Sequence, residues 1–173
     1  MRKCSEAARQ RRSRKAYYTD INFDLLGQII QAVTGLTLQE AYRRCIFQPL
    51  ELENTYLVAR EEGFVPRPYY KDTPLQRDRF VISCGASGGG VTTARELMIF
   101  LKAFWAGTLF NQAIFAKLAP SRKLQMSFYP IAYAGGYMRI EAGYPLRPKK
   151  VLRGHSGSTE SFAYYAPQDD LFL

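Results

Sequence analysis

The chain of 173 residues is long enough for one ordinary domain with a hydrophobic core. Its content of 47% hydrophobic and 23% charged residues is typical of globular proteins and excludes disorder of the whole chain. The formal net charge of +9 is unevenly distributed along the chain, because the first fifteen residues alone have a net charge of +6.

Residues 1–16 are predicted to form a basic, solvated and disordered arm that precedes a domain over residues 17–173. A basic arm can bind an anionic surface by releasing counterions, and this is one alternative function. However, no aromatic residues lie among its charges and no nucleic-acid-binding motif follows, so we expect no nucleic-acid partner.

The three cysteines, Cys4, Cys45 and Cys84, show no Cys-x-x-Cys spacing, which favours free thiols in a reducing compartment. The first thirty residues lack the apolar core and cleavage site of a secretory signal. We also find no apolar run of ~18 residues and therefore expect no membrane span. These features favour a cytoplasmic location.

The first half of the domain is predicted to be mainly helical. Asp20 is the expected N-cap of a helix over residues 21–34, and Gly35 supplies its left-handed end. This helix carries an apolar stripe, which consists of Leu25, Leu26, Ile29, Ile30 and Val33. The capping box Thr37-Leu38-Gln39-Glu40 opens a second helix. Residues 51–82 are irregular and are expected to form a surface excursion over a pocket.

A second capping box, Thr93-Ala94-Arg95-Glu96, opens a helix that ends at Gly107, and a shorter helix is expected over residues 111–118. After Pro130 the pattern favours strands within residues 131–140, 149–153 and 161–166, and a last strand from Leu171. The predicted fold class is therefore α/β of the α+β type.

Two stretches carry residues suited to chemistry. Tyr18 lies just before the first helix, and His155, the only histidine, is flanked by Gly154 and Gly157. A donor at His155, a hydroxyl at Ser156 and an open backbone at Gly157 would suit a peptide-like substrate lying along a strand. The plain structural alternative is an amphipathic tyrosine at the edge of the core and a structural histidine. One imidazole does not make a metal site, and neither a metal nor a cofactor is predicted.

Five motifs, in this order, resemble the serine β-lactamase family, in the branch of class C β-lactamases, D-alanyl-D-alanine carboxypeptidases and related esterases. They are Tyr18-Thr19-Asp20, the helix of residues 22–27, Phe47-Gln48-Pro49-Leu50, residues 88–93 and Gly154-His155-Ser156-Gly157. The resemblance implies a β-lactamase/transpeptidase-like fold with a helical region and an antiparallel sheet. It also implies hydrolysis of a β-lactam, a D-amino peptide or a small ester through an acyl-enzyme.

The resemblance also implies roles for individual residues. Tyr18 takes the place of the phenol that shares a proton with a lysine, and His155 positions and polarises the substrate. Histidine at this strand position resembles the peptidase and esterase members more than the β-lactamases. The substrate-binding residues would be Asp20, Ser156, Gly157 and Ser158. The Ser158 amide would form half of an oxyanion hole, while Asp20 stands where asparagine is common.

One departure from the family is large. No lysine among the 173 residues has a serine three positions before it, so the Ser-x-x-Lys motif of nucleophile and activating lysine is absent. We therefore expect a fragment with an incomplete fold that is inactive alone. The alternatives are a non-catalytic module that binds a peptide-like ligand or partner, and the anionic-surface binder described above.

Overall fold

The computed structural model describes residues 16–58, 64–118, 120–124, 130–143, 149–157 and 161–173. All but the last residue of the predicted basic arm lies outside this part. The chain forms two compact units. The sheet unit comprises residues 1–18, 112–155 and 164–171, and the helical unit comprises residues 19–111, 156–163 and 172–173.

The described residues form five α-helices. They are α1 (Ile21–Thr34), α2 (Leu38–Tyr42), α3 (Asp78–Cys84), α4 (Ala94–Ala106) and α5 (Gln112–Leu118). A π-helical turn over Arg43–Phe47 continues α2, and a 3-10 turn over Gly85–Ser87 follows α3. A search of the described helices for one with the length and hydropathy to span a bilayer finds none.

The described residues also form ten strands. They are β1 (Tyr56–Leu57), β2 (Tyr69–Tyr70), β3 (Thr73–Pro74), β4 (Gly90–Val91), β5 (Arg122–Lys123), β6 (Ala132–Tyr133), β7 (Met138–Ala142), β8 (Lys150–Ser156), β9 (Phe162–Ala166) and β10 (Leu171–Phe172). The largest sheet has the order β10-β9-β8-β7-β6-β5, and its neighbours from β5 to β8 pair antiparallel. Helices followed by an antiparallel sheet confirm the predicted α+β class.

Helix α1 has the predicted bounds, but its start differs from the prediction. Gly35 ends the helix at φ 68°, and its amide donates to the Gln31 carbonyl. Asp20 precedes the helix with helical angles, φ −60° and ψ −33°, and its side chain makes no capping hydrogen bond. The expected carboxylate cap is therefore wrong. Asp20 is already part of a helical turn that precedes α1, in which the Thr19 carbonyl accepts from the Asn22 amide at 3.1 Å.

Helix α1 packs through a glycine and not through its apolar stripe. Gly27 is its buried residue, and a Cβ built there would lie 2.8 Å from the Ala86 Cβ. In the stripe, Ile30 is half-buried. The other four members are exposed: Leu25 52%, Leu26 53%, Ile29 55% and Val33 81%. Close approach of α1 to the 3-10 turn therefore depends on the missing side chain at Gly27.

The two predicted capping boxes have different outcomes. At Thr37 both halves are present, since the Thr37 hydroxyl accepts from the Glu40 amide and the Glu40 carboxylate accepts from the Thr37 amide. At Thr93 the hydroxyl accepts from the Glu96 amide at 3.3 Å. The Glu96 carboxylate instead accepts from Asn54 and Thr55, which lie just before β1.

The segment predicted to be irregular contains regular elements. Strands β2 and β3 form a hairpin, with Tyr69 opposite Pro74, and α3 follows it. The hairpin was missed because its strands are short and prolines lie in and beside them, and α3 was missed because its seven residues are too few to show a clear period. That this excursion covers a pocket remains a prediction.

Strand β8 is longer than predicted. It continues to Ser156, so that His155 lies inside a strand and not beyond its end. The register places Gly154 opposite Met138, and both residues are buried. The antiparallel ladder of the sheet unit therefore fixes the backbone that carries the only histidine.

Candidate active site

Tyr18 is held at the edge of the sheet unit by the residues before it. The Ala16 amide donates to the Lys123 carbonyl of β5 at 2.8 Å, which ties this segment to the edge strand. Tyr18 is half-buried, whereas the neighbouring Tyr17 is 60% exposed. Of the two adjacent tyrosines, Tyr18 is therefore the one whose ring is enclosed.

His155 reaches the same region from β8. Its backbone follows Gly154, whose pairing with Met138 of β7 sets the strand register. The side chain is half-buried, so one part of the imidazole contacts protein while another part remains accessible to solvent. A strand residue in a paired ladder offers a more precise support than a loop residue.

A third aromatic residue, Tyr133 of β6, contacts both of them. Tyr133 is opposite Arg122 on one side and opposite Met138 on the other. The following turn is tight, since the Ala134 amide donates to the Tyr137 carbonyl at 2.9 Å and Gly136 has φ 92°. This left-handed conformation favours glycine and brings β7 back along β6.

The three rings contact one another, and we call them the phenol–imidazole cluster: Tyr18, Tyr133 and His155. The ring centroids are 5.7 Å apart for Tyr18 and His155, 5.3 Å for Tyr18 and Tyr133, and 5.9 Å for Tyr133 and His155. The planes of Tyr133 and His155 meet at 82°, an edge-to-face arrangement. These distances lie within the range of favourable aromatic pairs.

The cluster has the groups required for proton transfer. A phenol can donate or accept a hydrogen bond, and an imidazole can do both at its two nitrogens. Residues from the two ends of the chain thus meet within the sheet unit, while the catalytic roles expected for Tyr18 and His155 remain predictions. Tyr133 was not predicted, because its sequence context indicated a strand and nothing more.

Among the other predicted site residues, Asp20, Ser156 and Gly157 belong to the helical unit. Asp20 and Ser156 are exposed there. The Gly157 amide donates to the Ser161 carbonyl at 2.7 Å, and a Cβ at Gly157 would lie 2.5 Å from the Ser161 Oγ. A side chain at this position would therefore displace Ser161. Ser158 lies outside the described residues, so its predicted oxyanion role remains a prediction.

Cys84 is a poor alternative nucleophile in the described part of the chain. Burial raises the pKa of its thiol, and the charges of Asp20 and Asp24 raise the pKa further, while Arg77 opposes them. A raised pKa reduces the thiolate fraction and thus the reactivity of the sulfur. No cluster of three or more His, Cys, Asp or Glu residues that could hold a metal occurs among the residues described.

Comparison with known proteins places the chain. A family model described as Beta-lactamase matches residues 1–173. The chain belongs to the β-lactamase family. The resemblance drawn from its five motifs is thereby confirmed, whereas a search of curated proteins gives no match.

Solved structures of the β-lactamase fold resemble this member of the family. D-amino acid amidase from Ochrobactrum anthropi SV3, in complex with D-phenylalanine, has a TM-score of 0.70 at 21% identity and covers 87% of this chain. D-stereospecific amidohydrolase from Streptomyces sp. has a TM-score of 0.70 at 20% identity and covers 91% of this chain. The octameric penicillin-binding protein homologue from Pyrococcus abyssi has a TM-score of 0.69 at 23% identity and covers 90% of this chain.

The matches cover much less of those proteins than of this one. The chain spans 48% of the amidase, 48% of the amidohydrolase and 36% of the penicillin-binding protein homologue. The likeness therefore establishes the β-lactamase/transpeptidase-like fold, of which this chain provides about half or less of the neighbours' length.

Proposed function

We propose that this chain is the phenol–imidazole part of a serine hydrolase that cleaves a β-lactam, a D-amino peptide or a small ester through an acyl-enzyme. The observation that carries the proposal is the contact between the rings of Tyr18 and His155, with centroids 5.7 Å apart. By the resemblance of their motifs, these two residues correspond to the family's phenol and strand histidine. The names of two structural neighbours, an amidase and an amidohydrolase acting on D-configured compounds, make D-amino acid amides the first substrates to test.

In the proposed reaction, Tyr18 moves the proton. A serine hydroxyl attacks the substrate carbonyl carbon, a new C–O bond forms, and Tyr18, acting as a phenolate, takes the hydroxyl proton directly or through a lysine. The carbon–nitrogen bond, or the carbon–oxygen bond of an ester, then breaks, and the proton passes to the leaving group. Water hydrolyses the acyl-enzyme in a second step, which releases the acid and restores the serine.

His155 acts on the substrate and not on the nucleophile. An imidazole N–H can donate to a carboxylate or carbonyl of the bound substrate, which orients the substrate and supports the charge that develops on oxygen. Asp20, Ser156, Gly157 and Ser158 are the further proposed substrate contacts. Because the 173 residues contain no Ser-x-x-Lys, we place the proposed nucleophile outside them.

The presence of the nucleophile is tested by acylation with two probes, a fluorescent penicillin and a fluorophosphonate. We expect the 173-residue chain alone to remain unlabelled. The nucleotide sequence upstream of Met1 should encode Ser-x-x-Lys in the same reading frame, and the longer polypeptide should be labelled at that serine. Labelling of the short chain itself would contradict the proposal, because the nucleophile would then lie within the 173 residues. An upstream frame without the motif would also contradict it and would favour a binding module.

The longer polypeptide also tests the role of the phenol. General acid–base groups contribute about 100-fold to 10,000-fold to rate, so Tyr18→Phe should slow acylation by at least about 100-fold. Tyr17→Phe is the matched control, because it removes a hydroxyl from the adjacent, exposed ring and should leave the rate unchanged. Equal rates in the two variants, with folding verified by circular dichroism, would exclude Tyr18 as the proton-transfer group.

A further inference from the structure

Tyr133 has contacts that the proposed roles of Tyr18 and His155 do not explain. The centroid of its ring lies 5.3 Å from that of the Tyr18 ring and 5.9 Å from that of the His155 ring. It lies outside the five motifs that identify the family in the sequence. It nevertheless has a ring contact with both members of the proposed catalytic pair.

The backbone near each residue of the cluster is connected to the largest sheet. Tyr18 follows a segment whose backbone is bonded to the sheet edge through Ala16, and His155 lies near the end of β8. Tyr133 is paired with strands on both sides, opposite Arg122 of β5 and Met138 of β7. The backbone of Tyr133 is therefore held from both sides, which gives its ring a fixed base beside the other two rings.

We propose that Tyr133 is a positioning residue of the candidate active site, whose ring holds the Tyr18 phenol and the His155 imidazole in their working orientations. The edge-to-face contact of 82° with His155 brings a ring edge against a ring face, the arrangement that the aromatic quadrupole favours. The 53° contact with Tyr18 limits the rotation of the phenol. The ring carries this role, so phenylalanine should replace Tyr133 and leucine should not.

The catalytic role of this positioning rests on the proposed hydrolase function. The arrangement of the three rings, however, can be measured without any enzyme activity. His155 is the only histidine of the chain, so its imidazole C–H resonances identify themselves in an NMR spectrum. Aromatic rings shift the resonances of protons close to them, and the shift depends on distance and angle. The His155 resonances therefore report directly on the neighbouring rings.

The experiment compares three variants with the unchanged chain. Tyr133→Leu should move the His155 resonances, and Tyr133→Phe should keep them close to their original positions. Phe115→Leu is the control for loss of a ring elsewhere in the sheet unit, since Phe115 contacts Tyr137 with centroids 6.0 Å apart. Its effect on His155 should be smaller than that of Tyr133→Leu. Unmoved resonances in folded Tyr133→Leu, or equal shifts in the phenylalanine and leucine variants, would overturn the proposal.

A second measurement covers the case in which Tyr133→Leu does not fold. In the unchanged chain, tyrosine ring protons that are lost in Tyr133→Phe should show nuclear Overhauser contacts to the His155 ring. Absence of these contacts would also overturn the proposal.

The activity arm separates this inference from the proposed function. In the longer polypeptide, Tyr133→Leu should slow acylation while Tyr133→Phe retains most of the rate. If the leucine variant acylates normally, Tyr133 has no positioning role. If the unchanged polypeptide is never acylated, the hydrolase proposal fails, while the NMR result still decides whether Tyr133 orients the two rings.

Discussion

Glu96 shows how one carboxylate can join two separate elements of the helical unit. It is only 5% exposed, and it accepts from the Asn54 amide at 2.9 Å and from the Asn54 side chain at 2.8 Å. The Thr55 hydroxyl also donates to it. A buried carboxylate is tolerated only when donors satisfy it, so this cluster couples the first turn of α4 to the residues before β1.

The protonation of Glu96 should make the stability of the helical unit depend on pH. Burial acts to raise its pKa, but the hydrogen bonds from Thr55 and Asn54 outweigh burial and hold the pKa below its ordinary value of 4.5. The stabilisation is therefore complete above pH 4.5 and is lost as the pH falls through the lowered folded-state pKa, because the unfolded chain takes up the proton first.

Urea denaturation between pH 7 and pH 3 measures this effect. Glu96→Gln should unfold at a lower urea concentration than the unchanged chain at neutral pH, and the difference should narrow in acid. Glu53→Gln, which removes a charge next to Asn54, is the control and should keep the original pH profile. If the urea midpoint of Glu96→Gln changes with pH in parallel with that of the unchanged chain, the charged form of Glu96 does not contribute to stability.

At the scale of an element, the contact between α1 and the 3-10 turn predicts the effect of a single methyl group. Gly27→Ala would bring two Cβ atoms to 2.8 Å, closer than such contacts allow, so one backbone must move. Overpacking costs about 1–3 kcal/mol. Alanine regains about 1 kcal/mol in helix propensity. We expect a net loss of about 1 kcal/mol in the free energy of unfolding, measured by urea denaturation.

The control for this substitution is Gln28→Ala, which changes an exposed residue of the same helix. It should alter the free energy of unfolding by no more than about 0.5 kcal/mol. A Gly27→Ala variant that is more stable than the unchanged chain would show that α1 is not packed against the 3-10 turn at this glycine.

Helix α1 also shows which features of the fold can be predicted from sequence. Its bounds and the left-handed Gly35 follow from local chemistry, and both are confirmed. The packing surface was not predicted, because periodicity shows that a helix has an apolar face but not which other element lies against it. The missing cap at Asp20 has a similar cause, since the conformation of a cap depends on how the chain enters the helix.

The same distinction applies to the candidate site. Tyr18 and His155 could be identified because they occur in motifs, whereas Tyr133 had no such signal. Its place in the cluster follows from the register of β5, β6 and β7 and from the tight turn at Gly136, which are features of the folded sheet. Contacts between distant strands are set by tertiary pairing, and a single sequence does not encode them in a local pattern.

At the scale of the whole molecule, the apolar stripe of α1 is a group of apolar side chains on one helix face that the described fold leaves exposed to water. Ile29 is 55% exposed and Val33 is 81% exposed. Apolar side chains grouped on one helix face favour association with another apolar surface, because association removes them from water. We expect the 173-residue chain to self-associate as its concentration rises, although its net charge of +9 opposes this.

Substitutions in the stripe can separate self-association from folding. Ile29→Lys and Val33→Lys should lower the weight-average mass in sedimentation experiments, because each replaces exposed apolar surface by a charge. As surface changes, they should alter the free energy of unfolding by no more than about 0.5 kcal/mol. Gln28→Lys adds the same charge outside the stripe and should reduce association less, since it removes no apolar surface. If all three variants reduce association equally, repulsion between charges and not the stripe controls association. If the unchanged chain stays monomeric at every concentration, the prediction is wrong.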